Sequence, residues 1–294
     1  MYYRKLFCAL SLLPLILLNT SRVSAQNKPG NAQFNQRYES LTKAGLQVEE
    51  FTVSAGERKV SAIIVSPPVE RLAKEPALLL TLGSPTSCLL PPYDQPAKYF
   101  WEHGQRVVCL STTIPTGNLT VFKDKVMTGP DPTLQFIENA RAVLDECLKR
   151  KWVKQNQIAV SGVSRYGYLA FRLLAADDRL KIGAGFAPVT DWKDLAEFKS
   201  VKDQNIVSQL ALTNYADKLT GKKLFFCIGN HDERVNTLSS CRLFLSLNEA
   251  NAEQGFDRSL IDFHVTADLG HRCGKEWYIK GLETLLKAAT TQKK

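Results

Sequence analysis

The sequence has few of the residues that usually bind metals. Its 294 residues include four histidines and seven cysteines, and these form no CxxC pair and no larger cysteine–histidine cluster. Structural metal sites are typically built from such closely spaced ligands. No motif for a dinucleotide, phosphate or other cofactor stands out either. We therefore expect a protein that works without a metal and without a cofactor.

Long runs of one charge are also missing. Lysine and arginine outnumber aspartate and glutamate by 38 to 29, which gives a formal net charge of +9, yet the longest basic run is the KRK at residues 149–151. Scattered positive charges indicate a solvated surface, whereas nucleic-acid-binding faces concentrate them on one stripe or patch. We expect no nucleic-acid partner.

Only one apolar run is long enough to suggest contact with a membrane. It extends from Leu6 to Leu18, follows two basic residues and precedes a small-x-small cleavage site at residues 23–25. Pro14 interrupts it, and it is shorter than the roughly 20 residues that span a bilayer, so a membrane anchor is the weaker interpretation. Residues 1–25 are predicted to be a signal peptide, which implies a secreted or periplasmic protein without a stable membrane anchor after cleavage.

Six cysteines remain after this leader: Cys88, Cys109, Cys147, Cys227, Cys241 and Cys273. An exported protein can form disulfides, and six cysteines allow fifteen complete pairings. Cys109 and Cys227 lie within apolar strands, where a free buried thiol is the simpler expectation. The pairing stays open at this stage.

The order of apolar segments predicts the fold class. Residues 26–45 are expected to form a linker and a short helix, and residues 46–294 a single α/β domain. Two β-rich runs, at 46–54 and 59–66, indicate an antiparallel hairpin. Continuous apolar strands then alternate with helices, which is typical of a mostly parallel sheet of about eight strands with helices on both faces. The strands after the hairpin are predicted at 77–82, 106–110, 158–160, 181–187, 223–228 and 260–265.

Catalytic groups in such a sheet lie in loops beyond the carboxyl ends of the strands. The loop 111–131 and a small cap, residues 189–222, are therefore expected to form the walls of a pocket. Neither segment carries a motif that identifies a substrate.

The segment IAVSGVSRYGY at residues 158–168 is the most informative part of the chain. A buried strand gives way to helical periodicity with Ser164 at the corner, which is the layout of a nucleophile elbow. Such a turn requires small residues two places before and two places after the serine. Gly162 meets the first requirement, but Tyr166 occupies the second position, one place before Gly167. An ordinary strand–helix junction with a serine near the helix N-cap is the alternative.

A serine nucleophile requires a base, and the base requires an orienting carboxylate. His271 follows the last predicted strand, where the base of such a fold is found, and we prefer it to His103, His231 and His264. Asp232 follows the strand at 223–228 and is our first choice for the carboxylate. Asp191 is the second choice, and either aspartate could instead be a helix N-cap.

The same chemistry requires hydrogen-bond donors for an oxyanion. The backbone N–H of Arg165, directly after Ser164, is one candidate. The other is expected from the loop after the strand at 77–82, and we choose Ser84 because Pro85 has no N–H. Losing one such donor typically costs on the order of 3 kcal/mol of transition-state stabilisation.

Several of these motifs resemble the α/β-hydrolase superfamily. SGVSRYGYLAFR at 161–172 and FAPVTD at 186–191 look like exported bacterial hydrolases similar to the prolyl oligopeptidase catalytic domain and to dienelactone hydrolases. GNHDERV at 229–235 resembles their acid loop, and Gly270-His271 their histidine loop. The resemblance covers roughly residues 46–290. It implies an α/β-hydrolase fold with Ser164, Asp232 and His271 as the catalytic triad.

Two hypotheses about function follow. The first is an exported serine hydrolase that cleaves ester or short peptide bonds through an acyl-enzyme and needs no cofactor. The second is a non-catalytic α/β-hydrolase-like protein that binds a ligand in the same cleft. The second is motivated by Tyr166 and by the LGSP sequence at residues 82–85, which replaces the usual His-Gly-Gly type of oxyanion loop.

Overall fold

The computed structural model describes residues 29–110 and 118–291, so the predicted signal peptide lies outside the described residues. The chain divides into two units, Met1–Arg37 and Tyr38–Lys294. In the first unit, Pro29–Arg37 forms helix α1, where a linker is expected from the sequence. Among the described residues no helix is both long enough and apolar enough to cross a membrane.

The described residues of the second unit form one sheet of eight strands. They are β1 (Gln47–Ala55), β2 (Arg58–Ser66), β3 (Leu78–Leu82), β4 (Arg106–Leu110), β5 (Ile158–Val163), β6 (Ile182–Phe186), β7 (Lys223–His231) and β8 (Ile261–Leu269). Their order across the sheet is β1-β2-β4-β3-β5-β6-β7-β8. Strand β2 pairs antiparallel with both β1 and β4, and β3 to β8 pair in parallel. The N-terminal hairpin and the mostly parallel sheet confirm the prediction.

The remaining α-helices of the described residues are α2 (Glu39–Lys43), α3 (Pro85–Leu89), α4 (Gln95–Glu102), α5 (Leu119–Thr128), α6 (Thr133–Lys149), α7 (Arg165–Ala176), α8 (Asn205–Gln209), α9 (Thr237–Glu253) and α10 (Lys275–Thr291). In the described part of the chain, α2 precedes the first strand, α10 follows the last strand, and the other α-helices of the second unit lie between strands. Both faces of the central strands are covered by helices, which is why β3 and β6 are buried along their whole length.

Strand β6 shows how closely the helices approach the sheet. A side chain at Gly183 would collide with Leu174 of α7, so the glycine allows that helix to lie against one face of the strand. Phe186 lies on the opposite face and packs on Tyr278 of α10, with ring centroids 4.4 Å apart. The alternation of residues along β6 therefore places α7 and α10 on opposite sides of the sheet.

The loop predicted over residues 111–131 contains a helix, α5, and that part of the prediction is wrong. Asn118 caps the helix, because its side-chain oxygen accepts a hydrogen bond from the N–H of Thr120 at 2.8 Å. Phe122 and Val126, four residues apart, are buried on one face. A helix of 10 residues is too short to be stable by itself, so that it owes its stability to packing on the domain.

A buried arginine and a buried tyrosine on the elbow helix α7 connect this helix to the cap segment. Arg172 of α7 is 4% exposed and donates to Asp131, just before α6, at 2.8 Å, and to the Tyr168 hydroxyl at 2.7 Å. The Tyr168 hydroxyl donates in turn to the carbonyl of Leu210 at 2.9 Å. The Tyr215 ring lies 4.0 Å from the guanidinium. These contacts hold residues 210–215 against α7, because a buried guanidinium must keep all its partners.

Candidate active site

Ser164 lies at the turn between β5 and α7 in a strained backbone conformation. Its φ of 55° and ψ of −121° are sparsely populated by residues other than glycine, at a cost of about 1–3 kcal/mol. Three backbone hydrogen bonds hold it there. Its N–H donates to Phe186 at 2.9 Å, and its carbonyl accepts from Val189 at 3.1 Å and from Tyr168 at 3.2 Å. The sharp turn raises the hydroxyl above the carboxyl end of the sheet.

The irregular elbow motif has a structural explanation. After the turn the backbone passes close to Gly162, so that a side chain at Gly162 would collide with the carbonyl group of Tyr166. A Cβ atom added at Gly167 would lie 2.9 Å from the Cβ atom of Pro188, which is too close. Glycine is thus required at 162 and favoured at 167. Tyr166 is accommodated between them because its half-buried side chain lies in the wall of a cavity, with its ring 5.1 Å from the guanidinium of Arg165.

The structure brings Ser164, His271 and Asp232 together. The Nε2 atom of His271 lies 2.9 Å from Ser164 Oγ, and its Nδ1 lies 2.8 Å from Asp232 Oδ2. The carboxylate is an obligatory acceptor, so Nδ1 carries the proton and Nε2 is left to accept from the serine hydroxyl. The Asp232 side chain is fully buried, whereas that of His271 is 29% exposed. In this arrangement His271 Nε2 can accept the proton of the Ser164 hydroxyl.

Several opposing effects act on the ionisation of Asp232. Burial by itself raises the pKa of the carboxyl, but the hydrogen bond and charge of His271 and the N–H groups of Val235 and Arg234 outweigh it and lower the pKa. These N–H groups donate to Oδ1 at 3.1 and 2.9 Å. Asp232 is therefore ionised at neutral pH. Its contribution to stability is present above the pKa of the unfolded chain and is lost as the pH falls through the lower folded pKa.

The loop that carries Asp232 is fixed on two sides. Asp232 donates its N–H to the hydroxyl of Thr237 at 3.1 Å, and this hydroxyl donates to the carbonyl of Gly229 at 2.6 Å. Arg234 makes two hydrogen bonds to Glu197 of the cap, at 2.8 and 2.6 Å. The carboxylate therefore stays in place even when His271 changes its protonation state.

Asp191, the second choice for the carboxylate, serves another purpose. It caps the 3₁₀ turn Trp192–Asp194 by accepting from the N–H of Lys193 at 3.1 Å, and its other oxygen pairs with the Lys193 ammonium at 2.9 Å. It therefore has the N-cap role that was considered for both aspartates.

The other three histidines are engaged away from Ser164. His103 bonds to the carbonyl of Tyr99 at the end of α4, and His231 lies on the surface 3.1 Å from Glu233. His264 lies 2.6 Å from Asp262 within β8. Strand β8 continues to Leu269, four residues beyond its predicted end, so that His271 follows it almost directly.

The two predicted oxyanion donors differ in their position. Arg165 is the first residue of α7, so that its N–H belongs to the positive end of the helix dipole beside the serine. Ser84 caps α3, where its hydroxyl accepts from the N–H of Ser87 at 3.1 Å. Its neighbours Gly83 and Ser87 line the cavity at the site, and Ser84 is not among the lining residues. The role of Ser84 stays a prediction.

A cavity of about 580 Å³ opens beside His271. Tyrosines, prolines and cysteines dominate its wall, among them Tyr93, Pro96, Tyr166, Tyr278, Cys88 and Cys273. None of the described residues that line it is acidic. Within the described residues, no group of three or more histidine, cysteine or acidic side chains is arranged to hold a metal ion. The cavity suits an apolar or aromatic group.

The fold and this site define the class to which the protein belongs, the serine hydrolases with an α/β-hydrolase fold. The model of the prolyl oligopeptidase family matches residues 135–287, more than half of the chain, and the protein belongs to that family. The match includes all three residues of the site. No sequence among the curated proteins matches significantly.

Solved structures of peptidases share the fold. A putative dipeptidyl aminopeptidase IV from Bacteroides ovatus ATCC 8483 aligns with a TM-score of 0.63 and 15% identity over 83% of this chain and 36% of its own. The acylaminoacyl peptidase of Pyrococcus horikoshii aligns with a TM-score of 0.62 and 13% identity, over 85% of this chain and 43% of its own. A puromycin hydrolase aligns with a TM-score of 0.59 and 20% identity, over 83% of this chain and 39% of its own. The chain thus spans about two fifths of these proteins or less, and the similarity confirms the fold.

Proposed function

We propose that the protein is an exported serine peptidase that cleaves short peptides through an acyl-enzyme and also hydrolyses activated esters. The observation that carries the proposal is the hydrogen-bonded series from Asp232 through His271 to Ser164, at 2.8 and 2.9 Å. The prolyl oligopeptidase family and the peptidase structures support a peptide as the substrate. Esters are included because the same acyl transfer applies to them.

In the proposed mechanism, Ser164 Oγ attacks the scissile carbonyl while His271 Nε2 takes up its proton. The imidazolium that forms is stabilised by Asp232 and then donates the proton to the leaving amine. The backbone N–H of Arg165, with Ser84 as the proposed second donor, would stabilise the oxyanion. Water then attacks the acyl-enzyme, and His271 acts again as the base.

The cavity supports a preference for an apolar or aromatic side chain next to the scissile bond. Its wall includes Tyr166, Tyr278 and His271, and none of the described residues in it supplies a carboxylate for a lysine or arginine side chain. A basic side chain would have to be buried there without a counter-ion, which is costly. The Arg272 residue in the same wall adds to this discrimination.

A panel of dipeptide anilides that differ only in the residue before the scissile bond tests this proposal. We expect kcat/KM for phenylalanine or leucine to exceed that for arginine by about 100-fold or more, which corresponds to roughly 3 kcal/mol. The matching p-nitrophenyl esters should follow the same order, because the same pocket binds them. A preference for arginine would refute the proposed specificity. No turnover of any peptide or ester would refute the proposed activity.

Export is proposed from residues 1–25, in which two basic residues precede the apolar run and a small-x-small site follows it. The protein recovered from the medium or periplasm of a producing bacterium should begin at Gln26 when its N-terminus is sequenced. Fusion of residues 1–25 to a reporter enzyme that folds only after export gives a control. Retention of the full-length chain in the cytoplasm would contradict export.

A further inference from the structure

Two cysteines meet directly beside the catalytic histidine. Cys227 is buried in β7, and Cys273 follows His271 by two residues. Their sulfur atoms are 3.4 Å apart, with Cys227 as the donor in the contact. A disulfide requires about 2.05 Å, and rotation of the half-exposed Cys273 side chain can supply much of the difference.

We propose that Cys227 and Cys273 form a site of disulfide formation that fixes the histidine loop, residues 270–274, to the centre of the sheet. The proposal concerns a covalent modification and holds whether or not the catalytic assignment is right.

The histidine loop has few other attachments. Gly270 adopts a positive φ of 68°, and its carbonyl accepts from Arg272 at 2.9 Å in a tight turn. At the far end, the N–H of Gly274 donates to Asp268 at 3.0 Å. Between these points the side-chain contacts of His271 and the sulfur contact of Cys273 hold the loop to the domain. A covalent bond two residues from His271 would restrict the imidazole to positions close to Ser164.

The remaining cysteines are less suited to oxidation. Cys147 is buried in α6, and Cys241 is half-exposed on α9. Cys88 and Cys109 are also neighbours, but Cys109 is fully buried and Cys88, although it lines the cavity, is only 7% exposed. Cys273 is half-exposed and lines the cavity, so that an oxidant can reach it without unfolding of the domain.

Thiol–disulfide exchange with a low-molecular-weight or protein disulfide would complete the bond. The Cys273 thiolate attacks one sulfur of the oxidant, which forms a mixed disulfide and releases the first oxidant thiolate. Cys227 then loses its proton and attacks Cys273 Sγ, which expels the second oxidant thiolate. Two protein thiols are oxidised, the oxidant disulfide is reduced to two thiols, and the two protons of the cysteines pass to the leaving thiolates.

The order of attack follows from the environment of the two sulfurs. The hydrogen bond to Cys273 and burial raise the pKa of the Cys227 thiol, so that it remains protonated until the mixed disulfide is in place. The exposed cysteine therefore reacts first, and Cys227 resolves the intermediate.

Peptide mapping of the whole protein tests the proposal. After equilibration with oxidised glutathione and alkylation of the free thiols, mass spectrometry should find one peptide pair that joins Cys227 to Cys273. The melting temperature should be about 5–10 °C higher than that of protein treated with dithiothreitol, since the bond closes a long loop. In Cys273→Ser the linked pair and this temperature shift should both disappear. The matched control Cys241→Ser should behave as the unmodified protein does.

Three results would overturn the proposal. They are the absence of the linked pair after oxidation, a link between Cys88 and Cys109 alone, and a redox-dependent temperature shift that persists in Cys273→Ser. None of these measurements depends on hydrolysis, so that failure of the disulfide and failure of the proposed peptidase activity can be told apart.

Discussion

Ser164→Ala is expected to lower kcat by about a million-fold, with the fold unchanged. The hydroxyl is the group in hydrogen-bond contact with His271 Nε2, and alanine leaves nothing to attack the substrate. Alanine adds no strain to that of serine, because both carry a Cβ at the same positive φ. Initial rates on the best anilide of the panel measure the loss. Labelling with a fluorophosphonate should add its mass to Ser164 in the unmodified protein and to no residue in the variant.

Ser240→Ala provides a matched control. Ser240 is a fully buried serine on α9 whose hydroxyl has no hydrogen-bond partner, and it lies outside the site. Its variant should keep full activity and should label normally. If the unmodified protein fails to label and turns over no substrate, the alternative of a non-catalytic ligand-binding protein is favoured. Activity of Ser164→Ala within tenfold of normal would exclude Ser164 as the nucleophile.

Asp232→Asn is expected to lower kcat by about ten thousand-fold. The NH₂ group of the asparagine can donate to His271 Nδ1, and that tautomer places the imidazole proton on Nε2. The atom that should accept the serine proton is then a donor. The negative charge that stabilises the imidazolium is lost as well. Rates with peptide and ester substrates should fall together, because both require the same base.

Asp191→Asn is the matched control for the acid. Its carboxylate caps a turn and pairs with Lys193, so that the amide keeps the acceptor and loses only a half-exposed ion pair. We expect kcat to remain within a factor of ten. A larger loss in Asp191→Asn than in Asp232→Asn would show that the acid has been assigned to the wrong strand end.

Much of the fold could be predicted because the pattern of apolar residues alternates along the chain between that of a buried strand and that of a helix. Continuous apolar runs specify strands that are buried on both faces, and helices must then cover those faces. The parallel pairing of the central strands follows from that rule, and the hairpin follows from the two β-rich runs before them. Helix α5 could not be predicted in the same way, since it is only 10 residues long and its apolar residues are divided by the polar run at 123–125, so that its stability depends on packing against the domain.

The candidate site was predictable to the extent that it depends on chain order. Parallel strands bring their carboxyl ends to one edge, so that Ser164, Asp232 and His271, each shortly after a strand, had to lie on that edge. Two of the four histidines, His231 and His271, also follow a predicted strand by a few residues. In the structure His271 lies 2.9 Å from Ser164, whereas His231, where the register between β7 and β8 shifts, lies on the surface beside Glu233.

The sequence by itself determined the class of fold, the order of the candidate catalytic residues and the presence of a glycine at the elbow. The tertiary structure alone decided how Tyr166 is accommodated, which aspartate meets His271 and which cysteines approach each other. The physical reason is that periodicity and chain order depend on neighbours a few residues apart. These three features depend on contacts between distant segments, such as the 46 residues that separate Cys227 from Cys273, and such contacts arise only when the layers of the domain pack together.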